Sequence, residues 1–229
     1  MTAQRGIGEA RRQWLLRAAT MLGAAAVPLA VRDALAAGEQ PPAQGFYRVE
    51  GEVRVNGRAA ATGGLVRPGA TIETGANGQA VFIVGRDAFL LRGASRVETG
   101  GERYIDTLRI VTGKMLSVFD RGVRRIETQT VLIGIRGTGI YVEAEPGRSY
   151  VCTCYGVAAL QSRDQPRVRE IVSTRHHEQP RYVHAGRTMP AIEMIGPAPV
   201  INHTDAELVM LEALVGRKPP FLASGAPPY

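Results

Sequence analysis

The chain has 229 residues, 45% of them hydrophobic and 21% charged, a balance that excludes a disordered polar chain and allows a well-packed core with an appendage. Its 28 basic and 21 acidic residues give a formal charge of +7, but five arginines against Glu9 and Asp33 lie within the first 36 residues, leaving about +4 for the remainder. That remainder has no basic run interleaved with aromatics, so nucleic-acid binding is not expected.

Residues 1–36 read as an export signal. Arg11 and Arg12 begin "RRQWLL", an arginine pair followed by an aromatic and leucines, which resembles a twin-arginine signal with Trp14 in the aromatic position. A short apolar run rich in Ala and Gly, from Ala18 to Val31, follows, and Ala34-Leu35-Ala36 offers a small-residue cleavage site that makes Ala37 the first mature residue. The alternative is an uncleaved N-terminal membrane anchor. A periplasmic location is expected in either case, and nothing after the signal reads as a transmembrane helix.

Residues 37–45 form a polar, Pro-containing linker, and from Phe46 the chain becomes a succession of short alternating stretches punctuated by turns. Asn56-Gly57 after "FYRVEGEVRV" is a tight-hairpin signal, because both residues tolerate positive φ. Pro68-Gly69 and Asn77-Gly78 mark further turns, with strands from Ile72, over 80–84 and over 89–91. Later strands are expected over 107–111, 114–119, 124–128, 140–144, 150–155 and 158–161. So many strands without a helix between them predict an all-β unit over 46–161, with solenoid, barrel and sandwich all compatible with the spacing. Residues 162–229 form a loop-rich extension with five prolines between 166 and 199, a strand over 168–172, and one clear helix at about 204–216. Thr204 and Glu207 have capping-box spacing, Gly216 is placed to end the helix, and Leu208, Leu211, Leu214 and Val215 share a face suited to packing on the parent domain.

The pieces "GEVRVNG", "VRPGATIETGANGQAVF", "LRIVTGKML", "IETQTVLIGIRGTGIYVE" and "YGVAAL", spread over about residues 51–160, resemble the FecR domain, a periplasmic sensor module. The resemblance implies an all-β, non-enzymatic sensing or binding domain whose partner is an envelope protein or a small ligand. It does not specify the ligand. In the transmembrane members of that family a cytoplasmic segment controls a sigma factor; only ten residues precede the arginine pair here, so direct sigma-factor control is not expected.

Two residues apart in an expected strand, Cys152 and Cys154 point to one face with α-carbons about 6.5–7 Å apart, at or beyond the limit for a disulfide. A bridge between them would be strained and labile, which would suit a thiol redox role. The same placement lets both thiolates hold one copper, zinc or iron ion, with imidazoles completing the site. The imidazole candidates are His176 and His177 in "STRHHEQPRYVH", then His184, with His203 at the start of the helix. Two small buried cysteines and surface histidines are the competing reading. Neither a nucleophile elbow nor a paired-carboxylate pattern is found, so the chain reads as a non-enzyme.

Overall fold

The computed structural model describes residues 44–102 and 105–223; the expected export signal over 1–36 and residues 37–43 of the expected linker lie outside the described residues. The strands are β1 (Gly45–Glu50), β2 (Val53–Val55), β3 (Arg58–Ala59), β4 (Thr71–Thr74), β5 (Gln79–Val84), β6 (Asp87–Leu91) and β7 (Arg96–Gly100), followed by the long β8 (Thr107–Val118). Next come β9 (Val123–Glu127), β10 (Val131–Glu145), β11 (Arg148–Ser162), β12 (Arg169–Thr174) and β13 (Arg181–His184), a four-residue helix α1 (Ala191–Met194), β14 (Ile195–Pro197) and the helix α2 (Asp205–Leu214). The protein is all-β, as expected. All fourteen strands belong to one sheet.

That sheet folds over on itself, because β8, β10 and β11 are long enough to run through two layers. Their first layer-forming halves, Met115–Val118 of β8, Gly139–Ala144 of β10 and Arg148–Val151 of β11, join β6, β5 and β1 on one side and β13 and β14 on the other. Their other halves join β7, β4, β2 and β3, the parallel pair β8–β9, and β12. The sequence spacing reads 107–111 and 114–119, and likewise 150–155 and 158–161, as separate strands; in the structure each pair is one strand that bends at its glycine. Gly137 of β10 (φ 61°) and Gly156 of β11 (φ 94°) lie side by side at such a bend, in the left-handed region that favours glycine. The "RGTG" motif is therefore where two paired strands leave one layer for the other. The Asn56-Gly57 hairpin forms as expected, with both residues at positive φ between β2 and β3.

Between the layers lies an apolar core that includes Ile72, Phe82, Phe89, Val97, Ile110, Ile126, Ile133, Val142 and Leu160, all buried. Phe82 and Phe89 stack with centroids 4.9 Å apart, and Phe119 meets Phe89 edge-on at 5.5 Å. Side chains of the first layer alternate across it, so Val81, Leu90, Leu116, Tyr141, Tyr150, Cys152 and Cys154 point away from this core. They are nevertheless buried, because the chain beyond residue 197 returns across that face and lays α2 and Phe221 on it. This explains the near-continuous apolar runs "AVFIV" and "AFLL": the layer that contains them is covered on both sides. Residues beyond 161 also supply β12, β13 and β14 to the same sheet, strands whose sequences are too polar and Pro-interrupted for periodicity to reveal more than β12.

Helix α2 begins with the expected capping box. The Glu207 amide donates to Thr204 Oγ1 and the Thr204 amide donates to the Glu207 carboxylate, at 3.4 and 2.9 Å. Its burial extends well beyond one leucine stripe, taking in Asp205, Glu207 and Glu212. Those acids are partnered. The Arg92 guanidinium donates to Glu207 and to the Asn202 carbonyl, and Tyr155 and Arg217 both donate to Glu212. Tyr155 reaches Glu212 across Gly139, where a Cβ would lie 2.4 Å from its ring. Among the described residues no helix is long and apolar enough to cross a membrane.

Candidate metal centre

The two cysteines sit on the outer face of β11, where it pairs with β10 near Tyr141. Cys152 pairs with Tyr141 in regular register. At Cys154 the register slips, since Tyr155 is opposite Gly139 while Thr153 is opposite Ile140, so Cys154 is the extra residue of a β-bulge. A bulge re-aims a side chain. Here it lets Cys152, Cys154 and Tyr155 all contribute to the outer cluster. Both cysteines are free thiols and fully buried, so the disulfide reading does not describe this structure.

Two further segments close over them. The loop between β12 and β13 brings His177, whose amide donates to the Cys154 carbonyl at 3.0 Å and whose φ of 57° is in the left-handed region, a backbone position that costs energy for a non-glycine residue. Glu178 shapes this loop by accepting from the Arg175 and His176 amides, at 2.7 and 3.0 Å; these bonds, outweighing its slight burial, hold its carboxyl below the ordinary value. The approach to α2 brings His203, which follows Asn202, another positive-φ residue, and stacks on the Tyr141 ring with centroids 4.6 Å apart. One ligand atom from each of Cys152, Cys154, His177 and His203 lies within 4.8 Å of every other, and all four residues are buried.

The orientation of the rings is informative. His177 Nε2 lies 3.1 Å from Asp205 Oδ1, and His203 Nδ1 lies 2.6 Å from the Ile201 carbonyl oxygen. A carboxylate and a carbonyl only accept, so those two ring nitrogens carry the hydrogens. The opposite nitrogens, His177 Nδ1 and His203 Nε2, therefore present lone pairs, and they face one another at 3.1 Å. Cys152 Sγ lies 3.4 Å from the same His177 nitrogen. Such convergence of acceptors requires a positive charge between them. Without a metal, that charge is a proton: burial pulls His177 down, but Asp205 and the Cys152 sulfur outweigh it and hold its pKa at about 9. Cys152 is drawn well below the usual thiol range, by Cys154 first and then, against burial, by the two imidazoles, while burial pushes Cys154 well above it.

His176 is not one of the four. Its Nε2 meets both oxygens of Asp205 at 2.9 Å, so that with His177 it brackets this carboxylate at the first position of α2. His184 lies apart, on β13 opposite Arg148, with its ring 6.3 Å from that of Tyr182. Asp205 is the participant that spacing does not identify; its signal is its place two residues after His203, at the start of a helix whose N-terminus must meet the histidine loop.

No family model matches the chain, and no curated protein matches it in sequence. Two crystal structures of a "putative anti-sigma factor" from Parabacteroides distasonis, at 2.50 and 1.65 Å resolution, are similar to it in fold, each with 13% identity and a TM-score of 0.43 over 52% of this chain. The chain aligns with about half the length of those proteins, 55% of each.

Proposed function

We propose that this protein is an exported, non-enzymatic binding or sensing domain whose ligand is a zinc ion, held by Cys152, Cys154, His177 and His203. The observation that carries the reading is the pair of imidazole lone pairs aimed at one another beside two buried thiols. In a tetrahedral site with metal–sulfur bonds of about 2.3 Å and metal–nitrogen bonds of about 2.0–2.1 Å, neighbouring ligand atoms stand about 3.3–3.8 Å apart. The nitrogen–nitrogen and nitrogen–sulfur separations of 3.1 and 3.4 Å are already close to such edges. The second ring nitrogens are held as the ligands of such a site require, one by a carboxylate and one by a backbone carbonyl.

Charge favours zinc over monovalent copper. Two thiolates cancel a divalent ion, whereas a monovalent one would leave a net negative charge in a buried site with Asp205 already beside it. All four ligand positions are filled by protein, the mark of a closed binding site in contrast to a catalytic one with an open position. Structural zinc sites contribute about 10–16 kcal/mol of apparent binding free energy at neutral pH, which is ample to couple occupancy to the fold. The FecR-like motifs support a sensing role and the N-terminal "RRQWLL" supports periplasmic export.

Elemental analysis of the purified full chain tests this reading. One zinc per chain is expected, falling to near zero in Cys152→Ser and His177→Ala; unchanged metal content in both variants, or none in the parent protein, overturns it. One copper per chain, lost in the same variants, would keep the site and overturn the choice of ion.

A further inference from the structure

The four proposed ligands come from three separate pieces of chain, and only one of them, His203, belongs to the segment that crosses the outer face of the sheet. Resting on the zinc reading, we infer that the ion is a latch: it fastens the C-terminal segment, from Ile201 through α2 to Phe221, onto the sheet, so that occupancy of the site controls whether this face is covered.

The contacts beneath that segment show why a latch matters there. A ten-residue helix is marginal in water by itself, so α2 persists through docking. Its docked surface contains Leu208, Leu211 and Leu214, but also Asp205, Glu207 and Glu212, and bringing three acids out of water offsets much of what their ion pairs return. At its C-terminal end the segment is tied by Tyr155 donating to Glu212 and by Arg217 donating to the Arg86 carbonyl. At its N-terminal end one set of ties passes through or beside the site: His203 against His177 and Tyr141, Asp205 against His176 and His177, and Asn202 donating to Glu143. Arg92, donating to the Asn202 carbonyl and to Glu207, and the Tyr150 hydroxyl, accepting from the Ile201 amide, hold that end independently of the ligands. Without the ion, the segment meets the histidine loop here through the contact of His203 Nε2 with His177 Nδ1, at 3.1 Å, and through Asp205. The metal thus adds a bond from His203 to an ion that three ligands of the sheet and the histidine loop hold in place.

Release of that end would uncover Leu90, Leu116 and Val118 of the central strands, now fully buried beneath it. The change is an order–disorder transition of a terminal segment, a well-precedented way for a small ligand to change a large surface. Metal occupancy is thereby converted into exposure of an apolar strip.

Hydrogen exchange on the full chain, read by mass spectrometry with zinc bound and after chelator treatment, tests the latch, with metal content measured on the same samples. The expected result is that amides of residues 205–214 exchange at least tenfold faster without zinc and regain protection when zinc alone is added back, while β10 changes little. His203→Ala removes the segment's own ligand, and with zinc added its α2 should exchange as in the stripped parent. Zinc bound at one per chain with α2 equally protected with and without it, or α2 fully protected in zinc-treated His203→Ala, overturns the latch while the metal site stands. Absence of bound zinc from the parent protein overturns both.

Discussion

The two faces of the layer formed by β1, β5, β6 and the outer halves of β8, β10 and β11 are equally buried and quite differently made. The inner face, typified by Phe82, Phe89 and Val142, is mainly apolar, its small hydroxyls Ser117, Ser149 and Thr153 carrying no charge, and it depends chiefly on close packing. The outer face combines aliphatic side chains with two thiols and three tyrosines, and meets a segment bearing His203, Asp205, Glu207 and Glu212, all buried. An apolar face tolerates whatever hydrophobic cover fits. A face with this many buried polar groups is satisfied only by the particular segment whose groups match, so the outer face specifies its cover as well as requiring one.

Truncation of the inner face should cost most. Phe89→Ala removes a ring that packs against Phe82 and Phe119 and is expected to destabilise the protein by about 3–5 kcal/mol. Denaturant titration should return the same loss with and without zinc, since this ring faces away from the site; a loss that depended on metal would break the distinction between the faces. The outer face should behave in the opposite way. With zinc at about a thousand times its dissociation constant the parent should gain about 4 kcal/mol, and Cys152→Ser should abolish that gain while changing the metal-free stability far less. Melting curves with and without zinc for the two proteins measure it.

A smaller effect is expected at Gly139. Alanine there would drive its Cβ to within 2.4 Å of the Tyr155 ring and push the hydroxyl away from Glu212, at a cost of about 1–3 kcal/mol. Replacing Tyr155 with Phe as well should remove most of the difference between alanine and glycine that stems from the lost hydrogen bond, a comparison that a double-mutant cycle reads directly.

Much of this was legible in the residues and some was not, for identifiable reasons. Alternation and turn residues declare the all-β class, the Asn56-Gly57 hairpin and the capped helix at Thr204, because each depends on neighbours in sequence. The bends within β8 and β11 were hidden, since a glycine that ends a strand and one that folds it look alike until the partner strand is known. At the candidate site, the same-face placement of Cys152 and Cys154 follows from strand period, and the histidine pair was visible as a cluster. Which imidazoles converge was not visible: His177 and His203 meet because the chain returns across the sheet, while His184, closer in sequence to His177, faces elsewhere. Asp205 was hidden for the same reason, its role depending on a contact with residues almost thirty positions earlier.

The smallest expected effect concerns the loop that presents the histidines. Glu178 has a lowered folded-state pKa, so its contribution is present above its ordinary value of 4.5 and is lost as the pH falls through the lowered value. Glu178→Gln should therefore be slightly less stable than the parent at neutral pH, by a few tenths of a kcal/mol, and the difference should vanish in acid. A difference that persisted or grew in acid would mean that the carboxylate does not act through the Arg175 and His176 amides.

The central claim is that two sulfurs and two imidazoles of the outer face share one ion, and X-ray absorption at the zinc edge of the loaded full-length protein addresses it most directly. The account predicts a four-coordinate shell with two sulfurs at about 2.3 Å and two nitrogens at about 2.0–2.1 Å. A shell of oxygens alone, or a spectrum unchanged in Cys152→Ser, would contradict it.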